Sequence, residues 1–185
     1  DSIILAGDIS DDMDIIELCF HLLLKKFKQV HFVPGNHDLW SFRDKNFQNS
    51  FEKHAAIMRM ARLNGVVCEP YHSSGISIVP IQGWYDFSFG EPSQQLLETW
   101  MDFRACEWGQ EKSQQDITDY FMGFNKVDLE GLEDIVISFS HFLPRIDVMP
   151  SIIPKQYCSF QVSDASGSEA SPLESEFSRS RSLTS

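Results

Sequence analysis

The chain has 185 residues, 42% of them hydrophobic, which is enough for one domain-sized core and too few for two full domains. Its formal net charge of −12 excludes a bare electrostatic grip on nucleic acid or anionic lipid, which needs clustered Lys and Arg. An anionic substrate then requires a local cation to overturn the field, and a bound metal is such a cation.

No apolar run reaches membrane-spanning length; the densest, "IIELCFHLLL", is short and interrupted by Glu17 and His21. Cys19, Cys68, Cys106 and Cys158 show no C-x-x-C spacing, so reduced, mostly buried thiols in a reducing, cytoplasmic compartment are expected. The chain opens on Asp1 and enters a strand almost at once, which reads as a fragment.

"SIILAG" (2–7) is a short apolar run closed by Gly, the pattern of a buried strand. From Asp11 the period changes: Ile15, Ile16, Leu18, Cys19, Leu22, Leu23 and Phe27 mark a broad apolar helix face. Asp11, Asp12 and Asp14 stand near its start and Lys25, Lys26 and Lys28 near its end, the polarity a helix dipole favours. Asp11 is expected to cap this helix. "VHFVP" (30–34) supplies a second strand, and strand–helix–strand in so few residues predicts a parallel βαβ unit.

Residues 47–63 read as a helix ending at Asn64-Gly65, followed by strand "VVCEP" and by strand region "GISIVPIQGW", expected to be antiparallel and bent at Pro80. "SQQLLETWMDFRAC" and "QQDITDYFMGF" read as helical within an aromatic-rich stretch, and "EDIVISFSH" (133–141) as a buried strand ending in His141. Beyond Phe160 the chain is serine-rich with few large apolar groups. Residues 1–160 are therefore expected to form the domain and 161–185 a disordered tail.

The residues just beyond each buried strand carry the chemistry. Asp8 comes after the first, Asn36-His37-Asp38 after the second, and His141 ends the last. In an open α/β sheet the ligand crevice lies beyond the carboxyl ends of the strands. Adjacent strands run ~4.8 Å apart, so such residues can converge on one ion. Carboxylate, amide oxygen and imidazole together suit Mn, Fe or Zn. Gly7 and Gly35 precede these residues and permit tight turns. His54 and His72 stand after no buried strand and are expected to be solvated or loop residues. Trp84, Tyr85 and Phe87 are expected to pack in core or loop rather than to enter the site.

"AGDISDD" (6–12), "PGNHDLW" (34–40) and "SHFLPR" (140–145) resemble the calcineurin-like metallophosphoesterases over roughly residues 1–158. The stretch "GWYDFSFGEP…WMDFRACEW" also resembles an uncharacterised branch of that family. The resemblance implies an α/β fold, a partial four-layer α/β/β/α sandwich, built around two divalent metal ions (Mn, Fe or Zn). It implies Asp8 as the bridging ligand, Asn36 and His141 as ligands of the second ion, His37 as the catalytic histidine and Asp38 as the group that aims His37. The activity implied for the family is metal-dependent hydrolysis of a phosphate mono- or diester, carried by a small molecule or a phosphoprotein. This chain, lacking both end motifs, is expected to be an inactive fragment with little or no turnover; its composition carries no nucleic-acid or membrane signal. A non-catalytic scaffold on the same fold is the alternative. The family's opening D-x-H and closing GH-x-H are absent, so at most one ion, with three of its four usual ligands, is expected to bind.

Overall fold

The structure, a computed structural model, describes residues 1–88, 90–125 and 131–144. β1 (Ser2–Leu5) and β2 (Gln29–Phe32) pair in parallel from Ser2↔Gln29 to Leu5↔Phe32, with α1 (Met13–Leu24) crossing between them. The expected βαβ unit is therefore present. Val30 and Phe32 are fully buried, as are Ile16 and Phe20 of α1, and the Phe20 and Phe32 rings meet edge to face at 5.0 Å.

α1 is apolar on both sides, and only one stripe finds a partner. Ile15, Leu18 and Leu22 lie about half exposed, so the broad apolar face read from the sequence is buried only in part. The helix begins one residue later than expected. Asp12, not Asp11, is the N-cap, its carboxylate accepting from the backbone N–H groups of Asp14 and Ile15. The strand expected at "VVCEP" reduces to one bridge, His31↔Val67, closed by bonds from Phe32 N–H to Val67 O and from Val67 N–H to Val30 O.

α2 (Ser50–Leu63), capped by Asn49, precedes a second sheet of order β3–β4–β5. β3 (Tyr71–Ser73) runs antiparallel to β4 (Ile76–Ile81), which continues through Pro80, and β5 (Ile135–Ser140) runs parallel to β4. Neither β1 nor β5 is the buried strand expected: Ile4 of β1 and Ile135 and Ile137 of β5 are exposed, and only β2 is buried along most of its length. The two sheets touch where the His31 and Tyr71 rings meet at 5.3 Å. His31 is fully buried, and both its ring nitrogens lack a hydrogen-bond partner among the described residues.

Between β4 and β5 lie α3 (Gln94–Thr99), α4 (Asp102–Ala105) and α5 (Gln114–Met122). The helix expected across 93–106 is broken because Trp100 turns extended (ψ 124°) and carries Asp102 inward. Trp84 packs against Trp108 (4.9 Å), Phe121 (5.7 Å) and Phe142 (5.5 Å), which joins this aromatic-rich segment to the one core that also holds Phe20, Phe32 and Ile57.

His54 belongs to that packing as well. It is buried on α2 with Nδ1 at 2.9 Å from the Tyr120 hydroxyl and Nε2 at 2.7 Å from Gln82 Oε1, so it is a core histidine rather than a solvated one. His72 is exposed, as expected. Cys19, Cys68 and Cys106 are free thiols, the last two buried. Cys158 and residues 161–185 lie outside the described residues.

Candidate metal centre

The loops after β1 and β2 are tied together by one buried carboxylate. Asp38 sits in the one-turn 3₁₀ helix η1 (His37–Leu39) with no solvent exposure. Its Oδ1 accepts from the backbone N–H groups of Ile9 (2.7 Å) and Ser10 (3.0 Å), and its Oδ2 from those of Asp8 (2.9 Å) and Gly35 (2.8 Å). Burial pushes the Asp38 carboxyl up from its ordinary pKa, while the amides of Gly35, Ser10 and Ile9 pull it back. The expected bond from Asp38 to the His37 ring is not among the hydrogen bonds of the described residues, because backbone donors occupy both oxygens. The His37 ring stacks instead on Trp40 at 4.0 Å and 27°, and the His37 backbone N–H donates to Asp8 Oδ1 at 3.1 Å.

The clamp forces a close approach. Gly7 and Asp8 take left-handed φ values of 81° and 58°, a conformation that glycine adopts freely and aspartate tolerates better than most residues. A Cβ on Gly35 would lie 2.2 Å from Asp8 Oδ1 and 2.8 Å from His141 Cε1, so the carboxylate and the imidazole occupy the space that only glycine leaves.

Asp8, Asn36 and His141 do converge. His141 Nε2 lies 2.8 Å from Asn36 Oδ1 and 3.4 Å from Asp8 Oδ1. Its Nδ1 is 2.7 Å from the Ala6 carbonyl oxygen. A carbonyl only accepts, so Nδ1 carries the proton, and in the neutral ring Nε2 turns a lone pair toward two oxygen acceptors. A cation seated between the three groups would reconcile their lone pairs, as would a proton on Nε2 donated to Asn36 Oδ1.

A divalent ion takes such donors at about 2.0–2.2 Å, which puts adjacent donors about 3 Å apart. The observed separations lie close to that, and the donor set fits a metal. Among the described residues no cluster of three His, Cys, Asp or Glu side chains could hold one. A metal held here would need the amide oxygen of Asn36 as its third donor.

Two residues of this region escape a reading of the strand ends. Lys53 of α2 is fully buried and donates Nζ to the carbonyls of Asp11 and Trp40, each at 2.5 Å, bracing the same two loops from beneath. Burial lowers its pKa, and the carboxylates of Asp44, Asp11 and Asp38 oppose that. Asp102, 2% exposed, accepts from Asn36 Nδ2 (2.9 Å to each oxygen), Trp40 Nε1 (2.6 Å), the Tyr85 hydroxyl (2.6 Å) and Trp100 Nε1 (2.9 Å). Burial and this carboxylate together push the Tyr85 phenol well above its ordinary range. The only sequence signal for Asp102 is a lone acid among aromatics in "WMDF".

Strand-end Asp, Asn and His around one point, with an exposed histidine beside them, is the arrangement of a metallophosphoesterase. The profile of the calcineurin-like phosphoesterases matches residues 1–163, and the chain belongs to that family. Over 98 residues it is 34% identical to the acyl-carrier-protein phosphodiesterase PptH of Mycobacterium tuberculosis, a stretch amounting to 48% of this chain and 30% of that protein. The chain thus spans under a third of that curated relative's length. The crystal structure of the phosphopantetheinyl hydrolase PptH from the same organism shares the α/β fold. Its TM-score is 0.64 at 23% identity, covering 87% of this chain and 65% of that one.

Proposed function

We propose that the chain carries out metal-dependent hydrolysis of a phosphoester, with Asp8, Asn36 and His141 holding a divalent ion. In intact members of the family the residue resembling Asp8 is shared with a second ion, but the opening and closing motifs that complete that second site are absent from this sequence, so one ion is proposed here. The observation that carries the reading is the convergence of Asn36 Oδ1 and Asp8 Oδ1 on His141 Nε2. When bound, the divalent ion would supply Lewis-acid polarisation of a phosphoryl oxygen and lower the pKa of a bound water toward neutrality. Through it the site would also admit an anionic group to a chain of net charge −12.

The residues do the rest. His141 keeps Nε2 directed at the ion by donating Nδ1–H to the Ala6 carbonyl. His37 stands exposed at the rim, stacked on Trp40, where its ring can hand a proton to the departing oxygen. A binding scaffold on the same fold has no use for that imidazole, which favours the hydrolase reading. The likeness to an acyl-carrier-protein phosphodiesterase makes a phosphodiester borne on a protein the preferred substrate class.

The test is hydrolysis of an aryl phosphodiester and an aryl phosphomonoester with and without Mn²⁺. We expect Mn²⁺-dependent turnover of the diester, and a fall of about 10²–10⁴-fold in His37→Ala with metal affinity unchanged. Turnover that ignores both Mn²⁺ and His37 would overturn the reading.

A further inference from the structure

We propose that Asp102 is the positioning residue of this centre, locking both the amide ligand Asn36 and the Trp40 platform beneath His37. The inference rests on the metal-site reading and extends it to a residue outside the strand-end motifs.

An asparagine amide can turn end for end, and only one orientation presents oxygen to an ion. Asn36 Nδ2 lies 2.9 Å from both oxygens of Asp102, a group that only accepts when ionised. The amide nitrogen is therefore committed to Asp102, and Oδ1 is committed to His141 and the metal position. The same carboxylate takes the Trp40 Nε1–H at 2.6 Å, and Trp40 carries the stacked His37 ring. One buried anion thus fixes a metal ligand and the platform of the proton donor.

Its other two donors explain how the anion is tolerated. The Tyr85 hydroxyl and Trp100 Nε1 complete a shell of four side-chain donors around a carboxylate that water scarcely reaches. A hydrogen bond from an amide N–H to an anion also makes the amide oxygen the richer electron donor, as outer-shell carboxylates do for ligating histidines. An asparagine or an alanine at 102 has no means of accepting from all four groups.

The first arm uses the metal-free protein. The exchange with water of the Asn36 side-chain amide protons is followed by NMR in the parent, in Asp102→Asn and in Tyr85→Phe. Tyr85→Phe removes a different donor and leaves the Asn36 and Trp40 bonds in place. The second arm titrates Mn²⁺ into the same three proteins by calorimetry.

Asp102→Asn should speed Asn36 amide exchange about tenfold or more and weaken Mn²⁺ binding about 10–100-fold, with Tyr85→Phe staying near the parent in both. A folded Asp102→Asn protein with parental exchange or parental Mn²⁺ affinity overturns the proposal, as does an equal loss in Tyr85→Phe. If Asp102→Asn does not fold, Trp40→Phe carries the test, since it keeps an aromatic ring under His37 and drops the bond to Asp102. Greater mobility of the His37 ring by NMR relaxation is then expected, and an unchanged ring overturns the proposal. Should the parent bind no Mn²⁺, the metal-site reading fails while amide exchange still decides the lock.

Discussion

At Asp38, four backbone N–H groups from two separate loops end on one carboxylate that water does not reach. Replacing it by alanine strips acceptors from all four at once, and a buried donor left unmatched costs far more than an average hydrogen bond contributes. We expect Asp38→Ala to lose about 3–5 kcal/mol in urea unfolding. A loss below about 1 kcal/mol would mean that the loops hold their shape without the clamp. The role differs from the one the family pattern implies for this position. The adjacency of His37 and Asp38 in the sequence suggests a side-chain pair, yet the 3₁₀ turn points the two groups apart, His37 to solvent and Asp38 into the fold.

Among the elements, α2 carries the most direct link between packing and pH. His54 is buried with both ring nitrogens in use, and desolvation draws its pKa down to about 4. In the unfolded chain its pKa is near 6.5, so between about pH 6.5 and 4 the unfolded state binds a proton that the folded state refuses. The stability that neutral His54 allows is fully present above pH 6.5 and is lost as pH falls toward 4, by about 3 kcal/mol in all. Unfolding curves measured across this window should show the slope in the parent and a flatter profile in His54→Gln. Equal slopes would place the titration elsewhere.

The elements also divide by how far local sequence reveals them. β1, β2 and β5 are legible because apolar runs stop abruptly at polar groups, and those stops are the proposed metal ligands. α1 is legible as a helix but not in orientation, because Ile15, Leu18 and Leu22 are as apolar as the buried Ile16 and Phe20. Asp102 is illegible for a different reason. Its importance lies in donors gathered from Asn36, Trp40 and Tyr85, remote in the chain, together with its neighbour Trp100, and no periodicity encodes such a gathering.

Over the whole molecule, the two sheets meet at a flaw. His31 lies fully buried with neither ring nitrogen hydrogen-bonded among the described residues, beside the Tyr71 ring. Burial lowers its pKa, which keeps the ring neutral but leaves its donor and acceptor unmatched. His31→Leu is expected to stabilise the protein by about 1–2 kcal/mol, read from the urea midpoint, and a loss of stability would point to a partner for His31 beyond the described residues. At the same scale, a chain of net charge −12 needs a local cation to hold a phosphoester, and a metal at the strand ends would supply one. Whether Asp8, Asn36 and His141 hold that metal is decided most directly by calorimetric titration of Mn²⁺ into the parent and His141→Ala. Binding by the parent is expected, with a loss of at least about tenfold in affinity in His141→Ala, whose replaced ring supplies one of the three donors. Undiminished binding by a folded His141→Ala protein would contradict it.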